Sequence, residues 1–212
     1  KDEAVTFKKA QVGNTRVFTG APLDFSIVVR KYYLPLVRLI QNNKFAFESG
    51  PGTIAQSAEW DHIYEFLTKW GTGTMVAGDY ARFDLSMIAA VMMAAFSILR
   101  SLAAMGLYDS EDLRVMEGIA NDTSYPYIDF FGDLIRLTGT NPSGHPLTVI
   151  INGLVNSLYM RYAYRVLNPD EEVRTFQDSV RLFTYGDDNV MGVNPHTPWF
   201  NHTTVSGCLA DV

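Results

Sequence analysis

The sequence predicts a fold that mixes α-helices and β-strands, of the α/β and more narrowly α+β class, and three observations support this. Residues 74–79 are apolar and follow a glycine-rich turn, as a buried strand would. Residues 180–185 and 190–193 flank Gly-Asp-Asp-Asn, a composition typical of a β-hairpin. Residues 86–105 and 146–166 are long and apolar, and the second segment opens with a proline and stops before Asn-Pro. A hairpin and a further strand among long helices are therefore expected.

Three other helices are indicated by spacing. Residues 25–43 have helical periodicity but contain Pro35, which predicts a kink or a restart at that position. Residues 55–70 form an amphipathic pattern that ends at a glycine. A further helix is expected over about residues 200–210.

The region over residues 107–142 mixes acidic, aromatic and glycine residues. We expect an inserted subdomain there, with strands near residues 125–138. Three aromatic side chains of these strands are expected in their core, although stacking on nucleic-acid bases is the alternative: Tyr125, Tyr127 and Phe130.

Composition excludes several classes of protein. With 47% hydrophobic and 19% charged residues, the chain is not a disordered tail. Its single cysteine, Cys208, excludes a disulfide scaffold and a cysteine-based zinc site, and it fits a reducing compartment. The longest apolar stretch, residues 88–107, contains Ser97, Arg100 and Ser101, so we interpret it as a buried helix; no transmembrane segment is expected.

Charge is distributed unevenly along the chain. The net charge is -6, yet residues 1–44 contain eight basic and three acidic residues, a net +5, which leaves -11 for residues 45–212. A basic segment beside an acidic body suits a site that needs cations for phosphates and carboxylates for metal. A solvated charged face would produce the same distribution.

Adjacent carboxylates mark the first candidate site. Asp187 and Asp188 lie at the tip of an apolar hairpin, where a divalent cation such as Mg²⁺ or Mn²⁺ would offset their repulsion. Asp79 ends an apolar strand, and together with Asp187 it could bridge two metal ions if the strand lies beside the hairpin. Asp84 follows five residues later, where helix capping is the simpler explanation. Turn chemistry alone could also explain the paired aspartates.

Polar residues interrupt an apolar helix to give the second candidate. Thr148, Asn152 and Asn156 are spaced four apart and lie on one face. Ser143 and Gly144 precede them, and Gly144 would let the backbone approach a ligand closely. The stripe either forms internal hydrogen bonds or faces a ligand rich in hydroxyl groups.

Together these pieces resemble the palm of the RNA-dependent RNA polymerases of picorna-like positive-strand RNA viruses. The first palm motif of that family has two aspartates five apart, the second has Ser-Gly followed by Thr and Asn, and the third is Tyr-Gly-Asp-Asp. The matching residues occur in this order: Asp79 and Asp84; Ser143, Gly144, Thr148 and Asn152; and Tyr185, Gly186, Asp187 and Asp188. Lys1 and Arg16 resemble the basic fingers motif.

The resemblance implies a right-hand polymerase palm, with an antiparallel sheet flanked by helices, and part of the fingers. Residues 1–70 would belong to the fingers, residues 71–106 to the palm, residues 107–142 to a fingers insertion and residues 143–212 to the palm again. The thumb and the fourth palm motif would be missing. We therefore expect this stretch alone to be weak or inactive.

The same resemblance implies the chemistry, which is template-directed addition of ribonucleotides to an RNA 3′ end with Mg²⁺, or Mn²⁺ as a substitute. Asp79, Asp187 and Asp188 would be the catalytic metal ligands. Arg16 and Lys1 would contact the triphosphate. Four residues would recognise the ribose: Asp84, Ser143, Thr148 and Asn152. Gly144 and Gly186 would shape the two loops.

The implied partners are an RNA template and primer, ribonucleoside triphosphates and other viral replication proteins. The implied location is the host cytoplasm, at membrane-associated replication complexes. Two other readings remain to be separated from this one. A reverse transcriptase shares the palm but differs in sugar choice, and a non-catalytic RNA-binding scaffold would have lost a metal aspartate.

Overall fold

The computed structural model describes residues 4–13, 19–81 and 83–210, and at residue 84 the backbone only. The helices are α1 (Phe7–Gln11), α2 (Leu23–Asn42), α3 (Glu59–Leu67), α4 (Phe83–Ser86), α5 (Ala89–Ala104), α6 (Ser110–Ser124), α7 (Thr148–Leu167), α8 (Phe176–Ser179) and α9 (His202–Leu209). The strands are β1 (Met75–Gly78), β2 (Tyr127–Phe130), β3 (Asp133–Arg136), β4 (Val180–Tyr185) and β5 (Asp188–Val193).

A three-stranded antiparallel sheet has the order β1–β5–β4. Strands β4 and β5 form a tight hairpin in which Tyr185 pairs with Asp188. Strand β1 adds to the other edge of β5, with Gly78 opposite Asn189. Strands β2 and β3 form a separate two-stranded hairpin. The predicted strand over residues 74–79 and the predicted hairpin are thus confirmed.

Helices pack on both faces of the three-stranded sheet. A Cβ at Gly153 of α7 would lie 3.0 Å from Oγ1 of Thr184, which pairs with Asn189 of β5. A Cβ at Gly192 would lie 1.9 Å from the carbonyl oxygen of Leu67 in α3. Because residues 189 and 192 point to opposite sides of β5, α7 and α3 cover opposite faces.

Two large clusters make up most of the buried core of the described residues. One buried cluster packs α2, α5, α6 and α7 together and includes Tyr33, Phe96 and Ile151. A second cluster lies between α7, α8, α9 and the sheet. Tyr164 is its centre, with Phe176 and Phe200 edge-on to its ring. Phe83, expected in the core, is 2% exposed.

Several element boundaries differ from those expected. Helix α2 does not restart at Pro35, because its buried residues on both sides of the proline pack into one cluster. Helix α3 is shorter than residues 55–70, and the segment over residues 86–105 is divided between α4 and α5. Helix α6 was not expected, although Asp109 and Asp112 form a capping box at its start.

The expectation for the β2–β3 aromatics was wrong for two of the three. Tyr127 and Phe130 are 64% and 56% exposed, whereas Tyr125 is half-buried. Among the described residues no other helix or strand packs extensively against this hairpin, so its aromatic side chains have no core to face.

Among the residues that the structure describes, no helix combines the length and the apolar character that a bilayer crossing requires.

Candidate active site

The aspartates of the first candidate site meet at one end of the sheet. Asp79 directly follows β1, and Asp188 is the first residue of β5. Since Gly78 pairs with Asn189, one further step of the same register places Asp79 opposite Asp188. Asp187 occupies the turn between β4 and β5. Asp79 and Asp188 are exposed and Asp187 is half-buried, so all three can be reached by a ligand.

Gly186 makes the tight hairpin turn possible. Its φ of 67° lies in the left-handed region, which the two-residue turns of hairpins require at this position. A Cβ there would lie 3.7 Å from Val149 and 4.0 Å from the Cβ of Asn152, both on α7. The turn that carries Asp187 therefore packs directly against the helix that carries the second candidate site.

Asn156 joins the two aspartate-bearing elements. Its Nδ2 lies 3.2 Å, 2.9 Å and 3.4 Å from the carbonyl oxygens of Gly186, Asp187 and Asp188. Its Oδ1 accepts a hydrogen bond of 3.2 Å from the hydroxyl of Tyr80, the neighbour of Asp79. Burial raises the pKa of Tyr80, so this hydroxyl stays protonated and donates. One fully buried amide thus positions both β1 and the hairpin.

For the polymerase activity that the sequence resemblance implies, Asn156→Leu should lower nucleotide incorporation by about 10- to 100-fold, because displacing reacting groups by about 1 Å has effects of that order. The substitution keeps side-chain size but removes the contacts of Asn156 Nδ2 with the three carbonyl oxygens of the turn. Asn121→Leu is the matched control, since the Asn121 amide bonds only a carbonyl of its own helix on an exposed face. Steady-state incorporation by the full-length protein that carries this sequence is the measurement, and normal activity of Asn156→Leu would contradict the bridging role.

The Ser143–Gly144 loop is bound to the start of α7 and to Thr19. Thr148 Oγ1 donates to the carbonyl oxygens of Pro142 and His145, at 2.9 Å and 2.7 Å. The Gly144 N–H donates to the Thr19 carbonyl at 2.9 Å, and Ser143 Oγ accepts from the Thr19 N–H at 3.5 Å. Thr148 therefore shapes the loop through internal bonds.

His145 anchors this loop to α6, a role that the sequence did not indicate. It is 5% exposed, its Nδ1 accepts the N–H of Leu147 at 3.1 Å, and its Nε2 lies 3.2 Å from Oγ1 of Thr123. Because Nδ1 accepts, the ring is neutral and Nε2 carries the proton. Burial lowers the pKa of His145 to about 4.

Stability is expected to fall in acid because of His145. Between its ordinary pKa of about 6.5 and the folded value of about 4, the unfolded chain binds a proton that the folded chain excludes. Stability contributed by the neutral ring is complete above about pH 6.5 and decreases toward pH 4, by up to about 3 kcal/mol. Thermal unfolding of the full-length protein from pH 7.5 to 4.5 tests this. A decrease just as steep in His145→Asn would contradict it.

Asn152 lies beside the Gly186–Asp187 turn and is 7% exposed. Its Oδ1 accepts a hydrogen bond of 2.7 Å from Nδ2 of Asn141, which also lies 3.3 Å from the carbonyl of Thr148. The stripe of Thr148, Asn152 and Asn156 therefore forms internal hydrogen bonds. Among the residues whose side chains are described, the Asn152 side chain takes part in these bonds through its oxygen.

Three predicted site residues lie partly or wholly outside the described residues. Asp84 is in α4, directly after the buried Phe83, but only its backbone position is described. Lys1 and Arg16 belong to the segments outside the described ranges. Thr19, the first described residue after Arg16 in the sequence, bonds the Ser143–Gly144 loop.

The donor set suits a hard divalent cation. The three aspartates supply oxygen ligands, which Mg²⁺ and Mn²⁺ prefer. Within the described ranges, no three His, Cys, Asp or Glu residues converge into a complete metal site. In proteins, Mg²⁺ usually takes one or two carboxylates and completes its shell with water and substrate phosphates.

A buried ion pair at the outer edge of β4 supports the hairpin, and it was not predicted. Glu48 is 2% exposed and forms a two-pronged pair with Arg161 of α7, at 2.7 Å and 2.9 Å. Ser157 and Gln177 donate to the same carboxylate. The Glu48 carbonyl accepts from both the N–H and the hydroxyl of Thr184, immediately before Tyr185. The network thus fixes the end of β4 that leads into the Gly186–Asp187 turn.

A three-stranded antiparallel sheet with an Asp-Asp hairpin, a neighbouring strand that ends in a carboxylate, and flanking helices is the palm of a right-hand nucleic-acid polymerase. The comparisons with known proteins agree. The sequence matches the family described as viral RNA-dependent RNA polymerase over residues 1–211. This chain belongs to that family.

Three relatives define the similarity further. The replicase polyprotein of Cricket paralysis virus is 30% identical over 224 residues, covering 100% of this chain and 13% of the polyprotein. The RNA1 polyprotein of Cherry rasp leaf virus is 32% identical over 228 residues, covering 100% of this chain and 10% of the polyprotein. The solved Sicinivirus 3Dpol RNA-dependent RNA polymerase superposes with a TM-score of 0.74 at 20% identity and covers 100% of this chain. The chain spans only 42% of that polymerase.

Proposed function

We propose that this chain carries the catalytic centre of an RNA-directed RNA polymerase, which adds ribonucleotides to an RNA 3′ end under the direction of an RNA template. The observation that supports this most strongly is the register of β1 against β5, which brings Asp79 to the end of the sheet where Asp187 and Asp188 lie. Family membership supplies the reaction class.

Asp79 and Asp187 would hold two divalent cations, with Asp188 supporting their coordination. When bound, such ions lower the pKa of the primer 3′-hydroxyl and neutralise the triphosphate and the leaving pyrophosphate. The protein's part is to hold the carboxylates in place. Asn156 does so from the helix side and the Glu48 network from β4.

Arg16, and with it Lys1, would contact the triphosphate, since a guanidinium fork matches the geometry of phosphate oxygens. Asp84, Ser143 and Asn152 would recognise the ribose, while Thr148 holds the loop between them. Gly144 would allow that loop to approach the nucleotide.

Asn152→Ala is expected to narrow the preference for ribonucleotides over deoxyribonucleotides by about tenfold. The reason is that a site which hydrogen-bonds the 2′-hydroxyl leaves polar groups unpaired when the sugar lacks it. The measurement is the ratio of kcat/KM for the two nucleotides in primer extension by the full-length protein. A ratio equal to that of the wild type would contradict the assignment of Asn152.

The partners proposed with this function are the RNA template and primer, the nucleoside triphosphates, and other products of a viral polyprotein. The relatives are parts of polyproteins, which supports the last of these. The proposed place of action is the host cytoplasm, at membrane-associated replication complexes.

A further inference from the structure

Asn141 is a buried amide whose hydrogen bonds determine which atom of Asn152 remains available. It is 2% exposed and lies between the Ser143–Gly144 loop and the segment that follows α4. Its Nδ2 lies 3.3 Å from the Thr148 carbonyl oxygen and 2.7 Å from the Asn152 side chain.

The Thr148 carbonyl fixes the orientation of both amides. A carbonyl oxygen only accepts, so the Asn141 atom that faces it must be the NH₂ group. The Asn152 atom in contact with that same NH₂ group must then be its oxygen. Among the residues whose side chains are described, none accepts a hydrogen bond from Nδ2 of Asn152, so this NH₂ group is left as a donor beside the catalytic turn.

The backbone around Asn141 is held in an unusual conformation. Gly139 and Thr140 have φ values of 74° and 64°, and a Cβ at Gly139 would lie 2.1 Å from the Met87 carbonyl oxygen. The Gly139 N–H donates to Ser124, and the Thr140 N–H donates to Met87. Consecutive residues with left-handed backbone conformation persist only where the surrounding structure enforces them. Because Gly139 and Thr140 are held in this way, the backbone position of Asn141, the next residue, is fixed as well.

Holding Asn141 in this way leaves a polar atom unpaired. Its Oδ1 is buried and has no hydrogen-bond partner among the described residues. Buried polar atoms are nearly always paired, so the unpaired Oδ1 of Asn141 needs an explanation. The orientation of this amide favours the two contacts of Nδ2 at the cost of Oδ1.

We propose that Asn141 is a specificity-positioning residue, which locks the Asn152 amide with its NH₂ group as the donor to the ribose 2′-oxygen. This inference rests on the proposed function and adds to it the orientation in which the site reads the sugar. Asn141 acts through Asn152 and does not itself contact the substrate.

The test measures the ratio of ribonucleotide to deoxyribonucleotide kcat/KM in primer extension by the full-length protein. Asn141→Leu removes the amide, and Asn141→Asp replaces its donor with an acceptor, which forces the Asn152 NH₂ group to turn inward. We expect the ratio to fall in both variants, by about tenfold in Asn141→Asp, the equivalent of one hydrogen bond. Asn121→Leu, on an exposed face of α6, should keep the wild-type ratio.

A double-substitution cycle separates positioning from general damage. If Asn141 acts through Asn152, adding Asn141→Leu to Asn152→Ala should produce no further fall in the ratio. A loss of loop structure alone would instead lower both nucleotides equally and leave the ratio unchanged in each Asn141 variant, which would overturn the inference. If Asn141→Leu does not fold, the isosteric Asn141→Asp decides.

The outcomes also distinguish this inference from the proposed function. A wild-type protein that incorporates no ribonucleotides contradicts the proposed function. If Asn152→Ala lowers the preference for ribonucleotides but both Asn141 variants keep the wild-type preference, this inference alone is contradicted.

Discussion

Asp187→Asn should reduce nucleotide incorporation by about 10³-fold or more. The substitution keeps the size of the side chain at the hairpin turn but removes the charge that would hold a divalent cation. Metal ions contribute several kcal/mol of charge stabilisation in the transition state, and each ~1.4 kcal/mol is a factor of ten in rate. The measurement is single-nucleotide incorporation by the full-length protein at saturating Mg²⁺.

Asp178→Asn is the matched control for this experiment. Asp178 is exposed on α8, before the end of β4 that is remote from the turn, and β4 is six residues long. At about 3.3 Å per residue the strand separates the two aspartates by roughly 20 Å. The control should keep wild-type activity. Equal activity of both variants would remove Asp187 from the catalytic centre.

Arg161→Met should destabilise the protein by about 3–5 kcal/mol, the usual cost of removing one partner from a buried ion pair. The Glu48 side chain is 3% exposed and that of Arg161 is 23% exposed. Without the guanidinium, the donors that remain to the buried carboxylate among the described residues are Ser157 and Gln177. Thermal unfolding of the full-length protein measures the loss.

Arg114→Met is the control for this second prediction. Arg114 pairs with Glu111 at 2.6 Å, but both side chains are more than 60% exposed. Exposed pairs contribute little, so the unfolding midpoint should change little. The double variant Glu48→Gln with Arg161→Met should recover part of the lost stability, because no unpaired charge then remains buried. A midpoint for Arg161→Met no lower than that of the control would contradict the structural role of the pair.

The features that could be predicted from sequence are local. The Gly-Asp-Asp hairpin, the short apolar strand and helix α7 each carry their signal within a few residues. Helix α6 carried one as well, in the Asp109 capping box, but its acidic and small residues obscured the helical period. Tyr127 shows the limit of such patterns. An aromatic residue in a strand gives the same sequence pattern whether or not a core packs against it.

The contacts that position the site could not be predicted in this way. Glu48 and Arg161 are 113 residues apart, and nothing near either one identifies its partner. Asn156 could be recognised from the sequence as one of three polar residues spaced four apart on one face of α7. Its hydrogen bonds to the turn, however, depend on how α7 packs against the sheet. The pairing of β1 with β5 is likewise a long-range choice of register.

The most direct test of the account is primer extension on an RNA template by the full-length protein that carries this sequence, with ribonucleotides or deoxyribonucleotides offered separately. We expect Mg²⁺-dependent, template-directed incorporation that strongly favours ribonucleotides. Preferential incorporation of deoxyribonucleotides, or none of either by a correctly folded protein, would contradict the assignment of this palm to RNA-directed RNA synthesis.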